Sequence, residues 1–276
     1  MLVDVLGLVV ASIALNSAGL DYFGGRPRLM QGEHPTVRMV RERVTLDISS
    51  KTANVRCRYV FRNEGKACDV VMGFPDEGYA LPSRYQELVR EARANGQKPP
   101  PVLEFGLRNF RAFVDGTEVS TKIEAADMGA FHTKHVHFGA WQTRLVEDRY
   151  VRRVDRFEAF DFPGYDQRFV SYILRTGATW KGPISESVIV CRFHHWPHPM
   201  PHWRIKDDRV TDEDKRLARL GFAGVRYVGA SKPVVRGNRL IFRLTNFKPN
   251  AEDDLQLSFD FHRRKVLRAH RAPKGS

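Results

Sequence analysis

One pattern limits what this chain can fold into: apolar and polar residues alternate with a period of two in segment after segment. Val40, Val44, Leu46 and Ile48 share one face of an extended stretch whose other face carries Arg41, Arg43, Thr45 and Asp47. Val55, Cys57, Tyr59 and Phe61 alternate in the same way with Arg56, Arg58 and Arg62. Successive side chains of an extended backbone point to opposite sides, so the pattern buries one face and wets the other, as antiparallel sheet requires. Shorter runs follow at Phe110 to Val114, Glu118 to Ile123, Val188 to Phe193 and Leu240 to Leu244. The clearest is the last, where Leu255, Leu257, Phe259 and Phe261 alternate with Gln256, Ser258, Asp260 and His262. Strand and helix patterns do not alternate in the βαβ manner. The expectation is therefore all-β: an antiparallel β-sandwich, one large or two packed, spanning residues 36–264.

Two helical insertions interrupt the strands. Ser83 can cap a helix that runs through Glu87, Leu88, Val89 and Ala92 and stops at Asn95, Gly96 and the Pro99 to Pro101 run, which places it near 83–95. Thr211 opens a second near 211–220, with Asp212, Glu213 and Asp214 at the positive end of the dipole, Lys215, Arg216 and Arg219 later, and Gly221 as terminator. At the amino terminus, Leu2 to Leu15 is apolar except at Asp4, Gly7 and Ser12, too short to span a bilayer at ~20 residues and suited to the core of an export signal. Small residues at Ser12, Ala14 and Ala18 supply cleavage positions, so residues 1–18 read as a signal, with a buried first strand as the alternative. Residues 19–35 then read as a Gly-rich linker, and 265–276 as a basic tail that frays.

The formal net charge is +13, from 45 Lys plus Arg against 32 Asp plus Glu. Arg supplies most of it and is scattered along the chain, which suits a GC-rich coding bias as well as a binding function. Arg149, Arg152, Arg153 and Arg156 form the densest run, but on a strand the first and third face away from the second and fourth. The expected consequence is weak, salt-sensitive binding to polyanions, with no sequence-specific nucleic-acid recognition.

Histidine is the residue type with the most chemical promise. His194, His195, His198 and His202 sit in the Pro-rich stretch FHHWPHPMPHW beside Trp196 and Trp203, and His135 and His137 would share a strand face. If a metal such as zinc binds, these imidazoles are the candidate ligands, although no HExxH spacing sets a geometry. Trp180, inside the turn-rich stretch YILRTGATWKGPI, reads as a plug of the sandwich or as a stacking platform, the latter making Trp180, Trp196 and Trp203 the candidate ligand-binding aromatics. Cys57 and Cys68 flank a turn at Asn63, Glu64 and Gly65 and could pair; otherwise all three cysteines are small buried hydrophobes. The chain has no GxSxG elbow, phosphate loop or GxGxxG, and the acidic pairs Glu147/Asp148 and Asp253/Asp254 are adjacent, which on a strand sends their carboxylates to opposite faces.

The segments NSAGLDYFGG, RMVRERVTLDI, VRCRYVFRNEG, VVMGFPDEG, YILRTGATWKGPI and LTNFKPNAEDDLQLSF, in that order, resemble a family of exported bacterial proteins known as a domain of unknown function. The resemblance runs from about Asn16 to Phe261 and implies an extracytoplasmic β-rich fold with no assigned activity. The functional expectation is a non-enzymatic binding or structural role at the cell envelope, with a glycan or anionic polymer as partner. The alternatives are a metal-dependent hydrolase built on the His-rich loop and a non-specific polyanion binder.

Overall fold

A computed structural model describes residues 13–15, 17–23, 26–76, 90–98, 107–126, 129–158, 164–194, 210–229 and 231–262. Most of these residues are in strands, as the alternation requires. The largest sheet has eight strands in the spatial order β16-β17-β14-β4-β5-β11-β7-β8. They are β16 (Val234–Arg236), β17 (Arg239–Phe247), β14 (Ile184–Phe193), β4 (Val37–Ile48), β5 (Thr52–Asn63), β11 (Thr143–Arg153), β7 (Arg108–Val114) and β8 (Thr117–Val119). One five-stranded sheet holds β1 (Ile13–Leu15), β13 (Tyr165–Ile173), β18 (Leu255–His262) and β15 (Val225–Val228), with β12 (Asp155–Glu158) also on β13. The other holds β3 (Arg26–Leu29), β2 (Ala18–Phe23), β6 (Cys68–Asp76), β10 (Gly129–Phe138) and β9 (Lys122–Ala126). The inward residues of the large sheet and of both small sheets belong to one apolar cluster that includes Leu46, Phe61, Phe74, Tyr172, Trp180, Phe242 and Phe259. Ladders are antiparallel except β14 on β4 and β1 on β13, which are parallel.

The strand that opens the large sheet departs from strict alternation, and the departure has a consequence. The register of β4 on β5 shifts between Met39 and Arg41, a β-bulge at Val40. Val37 and Met39 point inward before it; Glu42, Val44, Leu46 and Ile48 point inward after it. Val40, expected on the apolar face, is the extra residue of the bulge, and Glu42 is buried in its place. Cys57 and Cys68 do not face each other, because β5 and β6 belong to different sheets, and both are free thiols.

The stretch 19–35 differs from the expected linker. Its backbone continues β2 and forms β3 as an antiparallel hairpin, and β2 also pairs with β6 at Ala18 and Gly19. Three of the segments that carry the family resemblance meet here around Trp180. The Trp180 indole N–H donates to the Ser17 carbonyl at 2.9 Å, and the Gly19 amide donates to Thr179 Oγ1 at 2.9 Å. Lys248 donates to the Trp180 carbonyl at 2.9 Å, while Asp254 Oδ1 accepts from the Leu174 and Arg175 amides at 2.8 and 3.0 Å. Trp180 is fully buried, 4.6 Å between ring centroids from Phe61. The plug reading of Trp180 is therefore the one the structure supports, and its role as an exposed stacking platform is corrected: no face of the ring is open to a ligand.

Of the two expected helical insertions, residues 90–94 are helical and 83–89 lie outside the described residues. The second is α1 (Asp212–Leu217), continued by a wider turn over Ala218–Phe222. Thr211 Oγ1 accepts from the Asp214 amide at 3.1 Å and Asp214 returns the bond to the Thr211 amide at 2.9 Å, a reciprocal cap on the residue where the sequence placed the start.

Candidate binding face

The residues expected to bind a metal fall mostly outside the described structure: His195, His198, His202, Trp196 and Trp203 lie there. His194 closes β14, is exposed, and has Nε2 3.4 Å from Asp47 Oδ1. His135 and His137 do share the outward face of β10, as their spacing implies, but His137 is engaged by Asp69 at 2.9 Å. Among the described residues, no group of three or more His, Cys, Asp or Glu side chains could hold a metal ion.

What the fold assembles instead is an arginine surface on the outer face of the eight-stranded sheet. Residues directly opposite on neighbouring strands project to the same side, about 5 Å apart. Arg38 is opposite Arg62, and Arg43 is opposite Arg58. Arg56 is opposite Arg149, Arg149 is opposite Arg111, and Arg192 is opposite Arg239. Like charges directly opposite destabilise a ladder, typically by a few tenths to ~1 kcal/mol.

Part of the charge is neutralised internally. Glu147 on β11 is the hub: it accepts two bonds from Arg56, at 2.9 and 2.8 Å, lies 3.3 Å from Arg58 Nε, and also accepts from Arg149 Nε. Burial alone would raise the Glu147 carboxyl, but the bonds from Arg56 and Arg149 outweigh it and hold the group below its ordinary value. Arg111 pairs with Glu118, Arg192 with Asp47 at 2.8 Å, and Arg243 with Glu186 at 2.6 Å. The Phe113 ring lies under two guanidiniums, 4.6 Å from Arg149 and 5.2 Å from Arg111, which holds them flat on the sheet. Arg43 and Arg239 are exposed and form no ion pair among the described residues, whereas Arg41 lies opposite Glu186 and Arg62 acts on Glu64.

The basic run singled out in the sequence splits as expected over its first three members, but Arg156 lies on β12 of a small sheet, exposed and 3.3 Å from Asp166. Arg149 and Arg153 point outward, and Arg152 is buried, donating to the Ser171 carbonyl at 3.1 Å. The run alone is therefore no patch. Its outward members become one only because β5, β4 and β7 bring Arg56, Arg58, Arg43 and Arg111 beside them. Arg56, Arg58 and Arg62 were legible as a wet strand face; which strands would lie beside that face was not.

The inner side of the same sheet carries polar groups as well. Tyr172 and Ser187 donate to the two oxygens of Glu42 at 2.9 and 2.7 Å, and the Tyr172 and Tyr59 hydroxyls are 3.3 Å apart. Full burial pushes Glu42 up to about 7, against the pull of its two hydroxyl donors. Burial also pushes the Cys57 and Cys191 thiols far up, so both stay protonated and are poor nucleophiles.

No family model matches the chain, and no curated protein does. Among solved structures, a Legionella pneumophila protein provisionally described as a nutrient binding protein is similar over 89% of this chain and 70% of its own, at 18% identity and a TM-score of 0.54. It shares the fold. Leukotriene A4 hydrolase of Saccharomyces cerevisiae and an M1 zinc metallopeptidase of Deinococcus radiodurans align at 8% identity, with TM-scores of 0.39 and 0.35. Each alignment covers 82% of this chain but only 29% and 43% of the enzymes. The protein is thus a β-sandwich of the kind seen in the Legionella structure, with an arginine-covered outer sheet.

Proposed function

We propose that this protein is a non-catalytic binding component of the bacterial cell envelope that holds an anionic polymer on the arginine face of its large sheet. The observation that carries the reading is the set of arginines placed directly opposite arginines, with Arg43 and Arg239 in no ion pair among the described residues. A linear polyanion laid across the strands would relieve that repulsion and gain from counterion release. The resemblance to exported bacterial proteins supports an envelope location, and the Legionella neighbour's description supports binding over catalysis. The face has Phe113 as its aromatic contribution, and that ring is already covered by guanidiniums. It therefore suits a backbone of repeated charges better than bases that must be stacked or read.

Heparin and inorganic polyphosphate are suitable probes. Wild-type protein is expected to bind both, with affinity falling steeply as salt rises, and to show no preference among DNA sequences. The double variant Arg43→Glu/Arg58→Glu is expected to lose about tenfold or more in affinity, while Lys122→Glu on the distant β9 leaves it nearly unchanged. Equal weakening by the two variants, or binding that persists at high salt, contradicts the reading.

A further inference from the structure

One ion pair sits where an ion pair gains least. Lys134 lies on β10 of a small sheet and Asp148 on β11 of the large one, and both side chains are 0% exposed. Lys134 Nζ is 2.7 and 2.8 Å from the two Asp148 oxygens. Both oxygens of one carboxyl hold the amine, so a proton passed from the ammonium to the carboxylate leaves a nucleophilic amine beside an electrophilic carboxyl carbon. The Phe110 ring lies 6.0 Å from Nζ. His132, the preceding inward residue of β10, stacks on Phe110 at 4.2 Å and bonds Asp76 at 3.0 Å. Tyr150, the next inward residue of β11, buries its hydroxyl beside the Cys57 thiol.

We infer that Lys134 and Asp148 close an intramolecular isopeptide bond, a covalent staple between the two layers of the sandwich. A proton first passes from the ammonium to the carboxylate, giving a neutral amine and a neutral acid. Burial favours that exchange, since it pushes the Asp148 carboxyl up even against the lysine that pulls it down. The Nζ lone pair then attacks Cγ and the N–C bond forms. The C–O bond to the acid hydroxyl breaks, and the hydroxyl leaves as water with a proton from Nζ. Two buried charges become one neutral secondary amide, with no oxidant, cofactor or further reactant. His132 and Tyr150 are the neighbouring inward residues of the two strands; the His132 charge is felt at Asp148, and the Asp148 charge at Tyr150. The staple ties β10 to β11, strands already joined by the turn at residues 139–142, and fixes the small sheet to the large one at the core end of that corner.

Mass spectrometry of the full-length chain decides the matter. The denatured protein is expected to be lighter than its sequence by one water. After trypsin, Lys134 is expected to remain uncut, and the fragments 123–144 and Leu145–Arg149 to be recovered joined as one branched species. Lys134→Arg is expected to restore the full sequence mass and to be cut at position 134, whether or not it folds as well as the wild type. A wild-type mass equal to the sequence overturns the inference. So does a water loss confined to a linear peptide, which is a succinimide and not a staple.

Discussion

Glu42 shows how one carboxyl can tie stability to pH. Its value in the folded protein, about 7 against an ordinary 4.5, means that the native state holds this proton more tightly than the unfolded chain does. The stability it contributes is thus complete below pH 4.5 and is lost as pH rises through 7. The full loss amounts to about 3 kcal/mol at 1.4 kcal/mol per unit. Glu42→Gln keeps the shape, its amide oxygen accepting from one hydroxyl and its NH2 donating to the other once that hydroxyl rotates, so its stability is expected to vary less with pH over that window and to exceed that of the wild type at pH 8. Denaturant melts at pH 5 and pH 8 check this, and parallel pH profiles for the two proteins would contradict it. The sequence offered a clue that alternation alone could not interpret: Glu42 occupies an even position among Val44, Leu46 and Ile48, where an acidic residue is out of place.

At the scale of elements, the bulge at Val40 and the Asp254 clamp are both local devices that serve distant parts of the chain. Strict alternation places Val40 inward with Val44, and only the pairing of β4 on β5 reveals the extra residue. Asp254 was legible as part of a polar loop before the last strand, not as the acceptor for two amides 79 and 80 positions away. Its removal in Asp254→Ala leaves the Leu174 amide, which is partly buried, without a partner and loosens the turn that carries Trp180. The expected cost is about 1–3 kcal/mol, read as a lower denaturation midpoint with an unchanged slope. An unchanged midpoint would mean that Trp180 and Lys248 hold the turn alone. The Thr211 cap, by contrast, could be read directly, because a capping box depends on residues three apart.

For the whole molecule, the arginine face predicts a trade between stability and binding. Arg43→Thr removes one half of the Arg43–Arg58 opposition and installs a residue suited to strands. At low salt it is expected to stabilise the fold by a few tenths to ~1 kcal/mol while weakening polyphosphate binding, and the stability gain is expected to shrink as salt screens the charges. A variant that loses stability and binding together would indicate that Arg43 supports the sheet and does not burden it. The positive charge was visible from composition, but scattered positions in sequence hid a contiguous surface, since neighbours across a sheet can be ninety residues apart, as Arg56 and Arg149 are.

The all-β class, the strand faces, the start of α1 and the split of the Arg149 run are properties of short range: they follow from period-two alternation and from caps that involve residues a few positions apart, so the sequence by itself determines them. Strand order, the bulge that buries Glu42, the hairpin at residues 18–29, the burial of Trp180 and the meeting of Lys134 with Asp148 depend on which faces find each other. That choice is made by burial of the shared core, a non-directional force summed over the whole chain, and no local pattern encodes it. The arginine face arises in the same way. Each strand contributes its own wet side, and only the tertiary pairing turns those sides into one surface.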